Sequence, residues 1–130
     1  MNHLKHKILQ LSKDFHKDVI AWRRHIHAHP ELSKEEFQTA AFVAARLDEF
    51  GIPYQKGIAG TGIVALIKGQ NPDKKTIALR ADMDALPVVE ENDVPYKSQT
   101  PGVMHACGHD VHTTSLLGTS SNPPLSLILR

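Results

Sequence analysis

Residues 104–112 have the sequence MHACGHDVH, which contains the only cysteine of the 130-residue chain and three of its nine histidines. In an extended segment His105, Cys107 and His109 project to one side, and His112 follows one helical turn after His109. Sulfur and imidazole together suit zinc, cobalt, nickel or manganese better than calcium. The stretch therefore predicts a transition-metal site. The alternative is a buried apolar cysteine beside unrelated histidines.

Two further residues of the stretch shape this candidate site. Gly108 allows the backbone to bend sharply between two candidate ligands. Asp110 is expected either to accept a proton from an imidazole or to cap the helix that follows.

An acidic pair lies upstream, in the segment RADMDALP at residues 80–87. Asp82 and Asp84 face the same way if the segment is extended, so they can bind a cation or orient a metal-bound histidine. The alternative is a solvated turn. Residues 90–93 form a polar loop, for which solvation is the expected role.

Composition limits the class of protein. The chain is 41% hydrophobic and 22% charged with a net charge of +1, which fits one soluble globular domain and no nucleic-acid partner. One cysteine cannot form an internal disulfide, and the N-terminus has no unbroken apolar run. We therefore predict a cytoplasmic protein without a membrane partner.

Hydrophobic periodicity predicts an order of elements. An amphipathic helix from Leu4 to Ile26 should end near Pro30. A capping box of Ser33 and Glu36 should begin a second helix, ended by Gly51. Its predicted buried stripe comprises Phe37, Ala40, Ala41, Ala44 and Leu47. Residues 63–67 and 76–79 are predicted to pair as an antiparallel hairpin, with the first of them a buried strand.

Three histidines cluster where the first helix should end. His25, His27 and His29 would complement the negative pole of the helix dipole if protonated. A second metal site is conceivable for His25 and His29, which share a face, with helix capping or packing as the alternative.

Several separated segments resemble the M20 metallopeptidase and amidohydrolase family, in its branch of N-acyl-amino-acid, hippurate and indole-acetyl-amino-acid hydrolases. The resemblance is strongest in ALRADMDALPVVEENDVPYKS (78–98) and GVMHACGHDVHTTSLLG (102–118). It is supported by WRRHIHAHPELSKEEFQTA (22–40) and AGTGIVALI (59–67).

The resemblance implies an α/β fold: the amino-terminal part of a mixed-sheet, zinc-peptidase-like catalytic domain flanked by helices, without the lid or dimerisation domain. Residues 1–118 would be the catalytic portion and 119–130 a divergent tail. It also implies two divalent ions (Zn, Mn, Co or Ni) in full-length members, with one or none in this chain. Cys107 and His109 match metal ligands, and Asp84 matches the acidic catalytic residue near the metals.

The family chemistry implied is hydrolysis of the amide bond of a small N-acyl amino acid by metal-activated water, in enzymes that are often homo-oligomeric. The glutamate base and the remaining ligands of the family follow the HxCGHDxH motif. Residues 111–130 contain neither Asp nor Glu, and no histidine follows His112. The resemblance therefore implies a chain that lacks the general base and is inactive alone.

Three alternatives remain open. His105, Cys107, His109 and His112 would close a structural zinc site in a small non-enzymatic module. The chain would otherwise fold only with a partner that supplies the remaining sheet. A cysteine nucleophile with a histidine base is less favoured, because shared metal ligation suits this spacing better.

Overall fold

The computed structural model describes residues 2–69 and 71–121 and contains three helices and one small sheet. The elements in chain order are α1 (Asn2–Ala28), α2 (Phe37–Glu49), β1 (Tyr54–Ile58), β2 (Gly62–Ala65) and α3 (His109–Ser120). In these ranges no helix combines the length and apolar character needed to cross a membrane. Residues 122–130 of the predicted divergent tail lie outside the described residues.

The first predicted helix is confirmed as α1, which ends at Ala28, two residues before Pro30. Its carboxyl-terminal half packs against α3, and Ile26 is buried there. The amino-terminal half is more open, since Leu4 and Ile8 remain 41% and 48% exposed. Only the later turns of the predicted amphipathic stripe therefore join the core.

The predicted capping box at Ser33 and Glu36 is wrong. Helix α2 begins at Phe37, and its N-cap residue Glu36 makes no side-chain capping bond. Glu31 takes that role instead: its carboxylate accepts the backbone N–H groups of Gln38 and Thr39 at 3.0 and 2.8 Å. Thr61 donates to the buried Glu36 carboxylate at 2.6 Å. A capping-box pattern identifies only a cap formed within its own four residues. Glu31 and Glu36 instead accept hydrogen bonds from residues outside that pattern.

The end of α2 follows the prediction. Gly51 has a φ of +66°, and the N–H groups of Gly51 and Ile52 bond to the carbonyls of Asp48 and Leu47. This is the glycine-terminated C-cap expected from the sequence. The buried stripe is rotated from the predicted one, because Phe37 and Ala41 are exposed. The residues that α2 buries are Thr39, Val43, Ala44 and Leu47.

Leu117 of α3 joins α2 in the core of the fold. Partly buried side chains close around Val43, Leu47 and Leu117, namely Trp22, Phe42, Phe50, Ile52, Tyr54, Ile63 and Met83. Each of the three helices thus contributes to one apolar core.

The predicted hairpin partner is also wrong. Strand β2 pairs antiparallel with β1, which precedes it, and residues 76–79 form no strand. The run predicted to be buried is largely open, with Val64 57% and Leu66 58% exposed. Apolar composition indicated a central strand, but such a strand needs neighbours on both faces, and the described residues do not supply them.

Two isolated bridges align the segments that precede α3. Ala85 bonds to the carbonyl of Glu31 at 2.7 Å, beside a parallel bridge with Leu32. Leu86 and Met104 exchange both backbone hydrogen bonds at 3.0 Å. These pairings bring residues 82–86 alongside the MHACGHDVH segment.

Candidate metal centre

The backbone bend at the start of α3 determines the positions of His109 and His112. Gly108 is the N-cap of α3 and has a φ of +86°, a conformation that favours glycine. His109 is therefore the first residue of the helix, and His112 lies one turn later with its ring centroid 5.6 Å from that of His109. The predicted bend at Gly108 is confirmed, and it places both rings on one side of the helix.

Asp84 orients His109. The Nδ1 atom of His109 lies 3.0 Å from the Asp84 carboxylate and 2.9 Å from the Asp84 carbonyl oxygen. Both partners are acceptors, so Nδ1 is the donor nitrogen of this ring, and Nε2 is the nitrogen available for coordination. A carboxylate that receives the second N–H of an imidazole is the usual companion of a metal-binding histidine.

Asp82 lies beside both histidines at the start of α3. Its carboxylate lies 2.7 Å from Nδ1 of His112 and 3.7 Å from Nε2 of His109. One ligand atom from each of Asp82, His109 and His112 falls within 4.8 Å of the others. We call these three residues the open cluster, because the His112 side chain is 54% exposed and the Asp82 side chain 24%.

The open cluster fits a divalent transition metal. Two imidazoles and one carboxylate are ligands that zinc, manganese, cobalt and nickel accept. The hydrogen bond from His109 to Asp84 leaves Nε2 free to coordinate. Contact with His112, opposed by partial burial, lowers the pKa of Asp82, which keeps this carboxyl ionised as a ligand must be.

The remaining two residues of the predicted ligand stretch take different positions. The Cys107 thiol is free and exposed rather than packed as a small apolar residue. His105 is buried, and neither of its ring nitrogens has a hydrogen-bond partner in the described structure. Burial lowers the pKa of His105 and keeps the ring neutral, although the nearby Asp110 opposes that shift. The structure thus separates His105 from the open cluster.

A second group of charges lies beneath the metal motif, and we call it the buried cluster. His27 is 3% exposed, with Nδ1 at 2.7 Å from Asp110 and Nε2 at 3.0 Å from Glu90. Arg23 lies 2.9 Å from the same Asp110 oxygen. The buried cluster comprises Arg23, His27, Glu90 and Asp110. Asp110 does accept an imidazole proton as predicted, but from His27 of α1.

The role predicted for Glu90 is wrong. Glu90 is 5% exposed and accepts hydrogen bonds from His27 and from the Ser98 backbone, the latter at 2.6 Å. Burial alone would raise the pKa of Glu90, but its bonds to Ser98, His27 and Asn92 outweigh that effect and hold it at about 2. Glu90 is therefore an ionised anchor rather than a solvated loop residue.

The histidines at the end of α1 have distinct roles. His25 stacks on Phe42 with ring centroids 4.5 Å apart, and His29 bonds to the His25 carbonyl at 2.7 Å. These contacts agree with the packing alternative. Sequence patterns did not indicate that His27 would contact Glu90 and Asp110, because all three come from distant segments. One available signal was that His27 lies one turn after Arg23, so both share a helix face.

Comparisons with known proteins identify the class to which this arrangement belongs. A model of peptidase family M20/M25/M40 matches residues 78–120, which include both acidic residues and the metal motif. An N-acyl-L-amino acid amidohydrolase of Geobacillus stearothermophilus is 52% identical over 116 residues, covering 89% of this chain and 31% of that protein. An uncharacterized hydrolase of Staphylococcus aureus is 57% identical over 99 residues, covering 76% of this chain and 25% of the relative.

Comparison with a solved structure gives the same resemblance. The YXEP protein of Bacillus subtilis, described as a dinuclear metal-binding peptidase of the M20 family, matches with a TM-score of 0.75 and 42% identity. The match covers 84% of this chain and 30% of that structure. The predicted resemblance to the M20 family and the predicted α/β fold are thereby confirmed. The chain spans about a third of the length of these relatives, so it is similar to part of an M20 domain.

Proposed function

We propose that this chain carries part of the active site of a metal-dependent amidohydrolase that cleaves the amide bond of N-acyl or conjugated amino acids. The similarity to an N-acyl-L-amino acid amidohydrolase supports this small-molecule substrate class. The observation on which the proposal depends is the contact between Asp84 and His109, which directs Nε2 of His109 toward Asp82.

His109 and Cys107 are the proposed protein ligands of a two-ion centre. His109 contributes Nε2, and the exposed Cys107 thiol, two residues earlier, contributes a thiolate. Asp82 and His112 add an oxygen and a nitrogen beside His109. The donor set accepts Zn, Mn, Co or Ni, and the B. subtilis relative is described as dinuclear.

Asp84 is the proposed catalytic carboxylate of this part of the site. By accepting the Nδ1 proton it fixes the His109 ring and makes Nε2 a stronger electron donor. A divalent ion held there supplies a Lewis acid, which polarises an amide carbonyl and lowers the pKa of water.

We propose that the isolated chain turns over substrate slowly or not at all. A general base must reach the attacking water, yet both Glu90 oxygens are engaged, one by His27 and the other by Ser98. No acidic residue follows Asp110 in the sequence. Hydrolysis of hippurate or an N-acetyl amino acid by the zinc- or manganese-loaded chain, well above background, would contradict this proposal.

Metal binding provides the direct test of the centre. Titration with Co²⁺, followed by visible absorption, is expected to yield a complex with thiolate-to-metal charge transfer. His109→Asn should weaken Co²⁺ binding by at least about 100-fold, because it removes the oriented ligand. His16→Asn, an exposed histidine of α1, is the matched control and should leave affinity unchanged. Equal affinity in both variants would refute the assignment of His109.

The proposed location is the cytoplasm, where the free Cys107 thiol would stay reduced. A non-enzymatic module with a structural zinc site is the second candidate. It requires His105 as a ligand, and His105 is the one motif histidine with two unpartnered buried nitrogens. A closed four-ligand Co²⁺ spectrum that loses intensity in His105→Asn would favour this module over the enzyme.

A further inference from the structure

We infer that His27 is a positioning residue for the metal centre, holding Asp84 and His109 at their observed separation. The inference rests on the proposed function, since the residues that it positions are the proposed metal ligand and its orienting carboxylate. It assigns a role to a histidine of α1 that lies outside the metal motif and outside the open cluster.

The first step is the placement of its two partners. Asp110 directly follows His109 in the first turn of α3, and Glu90 follows Asp84 by six residues on the neighbouring segment. His27 contacts Asp110 at 2.7 Å and Glu90 at 3.0 Å. One imidazole ring therefore ties the segment of the orienting carboxylate to the helix of the ligand.

The second step is the placement of protons. The bonds of Glu90 to Ser98, His27 and Asn92 hold it ionised, and Arg23 lies beside Asp110. Each ring nitrogen of His27 then faces a carboxylate oxygen, and both can donate only in the imidazolium form. Nδ1 of His27 also lies 3.1 Å from Nη2 of Arg23, but two donors cannot bond to each other, so we assign the Nδ1 proton to the Asp110 oxygen at 2.7 Å.

The third step is the anchoring of the two carboxylates. The second oxygen of Asp110 accepts the Val111 backbone N–H at 2.9 Å, and that of Glu90 accepts the Ser98 N–H at 2.6 Å. Asp110 is thus fixed to the backbone of α3, and Glu90 to the backbone at Ser98, in addition to their bonds to His27. A shift of the imidazole is transmitted to both segments rather than absorbed by a free side chain.

Loss of the imidazolium would leave two buried carboxylates facing one another without a shared donor. Like charges in a buried site repel strongly, so the segments would separate or admit water. The bond from His109 to Asp84 joins the same two segments, so it should lengthen when they separate. The proton on Nδ1 of His109 would then no longer be fixed.

The tautomer of His109 reports this directly and needs no metal. Long-range ¹H–¹⁵N NMR spectra of the full chain, recorded where the His109 ring is neutral, should show the ring proton of His109 on Nδ1. His27→Gln, which keeps polar atoms but loses the charge, should convert His109 to a mixture of tautomers. It should also weaken Co²⁺ binding about 10- to 100-fold.

Two control variants separate positioning from general destabilisation. His25→Gln lies on the same helix but stacks on Phe42, so the His109 tautomer should not change. Gly62→Ala forces a methyl group to within 2.6 Å of the Ile58 carbonyl oxygen, which should destabilise the remote hairpin without affecting His109. If His27→Gln does not fold, Glu90→Gln provides the same test, because its amide oxygen can still accept from Ser98.

The possible results distinguish failure of the positioning role from failure of the proposed function. An unchanged His109 tautomer in His27→Gln, or in Glu90→Gln if the former does not fold, overturns the positioning role, as does a wild-type His109 without fixed Nδ1 protonation. Failure of the wild-type chain to bind Co²⁺ instead overturns the proposed function and leaves the tautomer result valid. A change in tautomer in His27→Gln, absent from both controls, supports the inference.

Discussion

The two histidine–carboxylate clusters contain similar chemical groups in opposite environments. In the buried cluster the side chains of His27, Glu90 and Asp110 are at most 4% exposed, and each carboxylate oxygen accepts at least one hydrogen bond. In the open cluster the side chains are 17–54% exposed, and Nε2 of His109 has only a carboxylate at 3.7 Å. Hydrogen-bonded buried charges stabilise one arrangement, whereas the more exposed ligand atoms of the other are accessible to a cation.

The comparison predicts that stability depends on the buried cluster. Asp110→Asn removes the charge shared by Arg23 and His27, and should lower the free energy of unfolding by about 3 kcal/mol, because the buried His27 and the partly exposed Arg23 lose their common carboxylate partner. Urea denaturation measures the change. Asp73→Asn, at an exposed turn, should stay within about 0.5 kcal/mol of wild type. A loss below about 1 kcal/mol for Asp110→Asn would mean that the buried cluster is weakly coupled to folding.

The dependence of the unfolding free energy on acidic pH provides a second test of the buried cluster. The pKa of Glu90 is about 2 in the folded protein, below its ordinary value of 4.5. Its contribution to stability is therefore present above pH 4.5 and is lost as the pH falls through the folded pKa. Between pH 4.5 and about 2, unfolding of the wild-type protein should therefore take up about one proton more than unfolding of the Glu90→Gln variant.

The neighbouring exposed glutamate is the matched control for this measurement. Glu91→Gln should retain the wild-type dependence of unfolding free energy on pH, because Glu91 is open to solvent. Identical profiles for Glu90→Gln and wild type would show that the Glu90 contacts do not persist in solution.

The smallest stability effect is expected in the open cluster. His112→Asn removes a contact of 2.7 Å with Asp82, but the ring is half exposed, so the free energy of unfolding should change by at most about 1 kcal/mol. Co²⁺ affinity should nevertheless fall about tenfold or more, because a nitrogen ligand is lost. A stability loss near that of Asp110→Asn, with affinity unchanged, would reverse the roles assigned to the two clusters.

Local patterns allowed the helices to be predicted more accurately than the strands. Helix α1 ends near Pro30, and Gly51 ends α2, because both residues act on the backbone at their own position. The capping box failed because Glu31 reached the amides of α2 from outside the predicted motif. The hairpin failed because strand pairing is non-local, and residues 54–58 carry too little apolar periodicity to stand out.

The candidate site was predictable to a similar degree. The sequence indicated Asp82, Asp84, His109 and His112 because they lie in two motifs with spacings suited to ligation. The spacing of His105 suggested that it would be a metal ligand like His109. The turn at Gly108 instead leaves His105 buried and His109 at the start of α3. The sequence contained no sign that Glu90 would be buried, since a polar loop is ordinarily solvated.

Residue types and short spacings were enough to predict the family resemblance, a candidate metal site and the positions where the backbone turns, because each of these depends on local sequence. Which histidine contacts which carboxylate depended on how distant segments pack together. His27, Glu90 and Asp110 lie on three separated segments, and packing of α1 against α3 with the Leu86–Met104 bridge brings them together. Hydrogen bonds and charge pairing act over a few ångströms of space, whatever the distance along the chain.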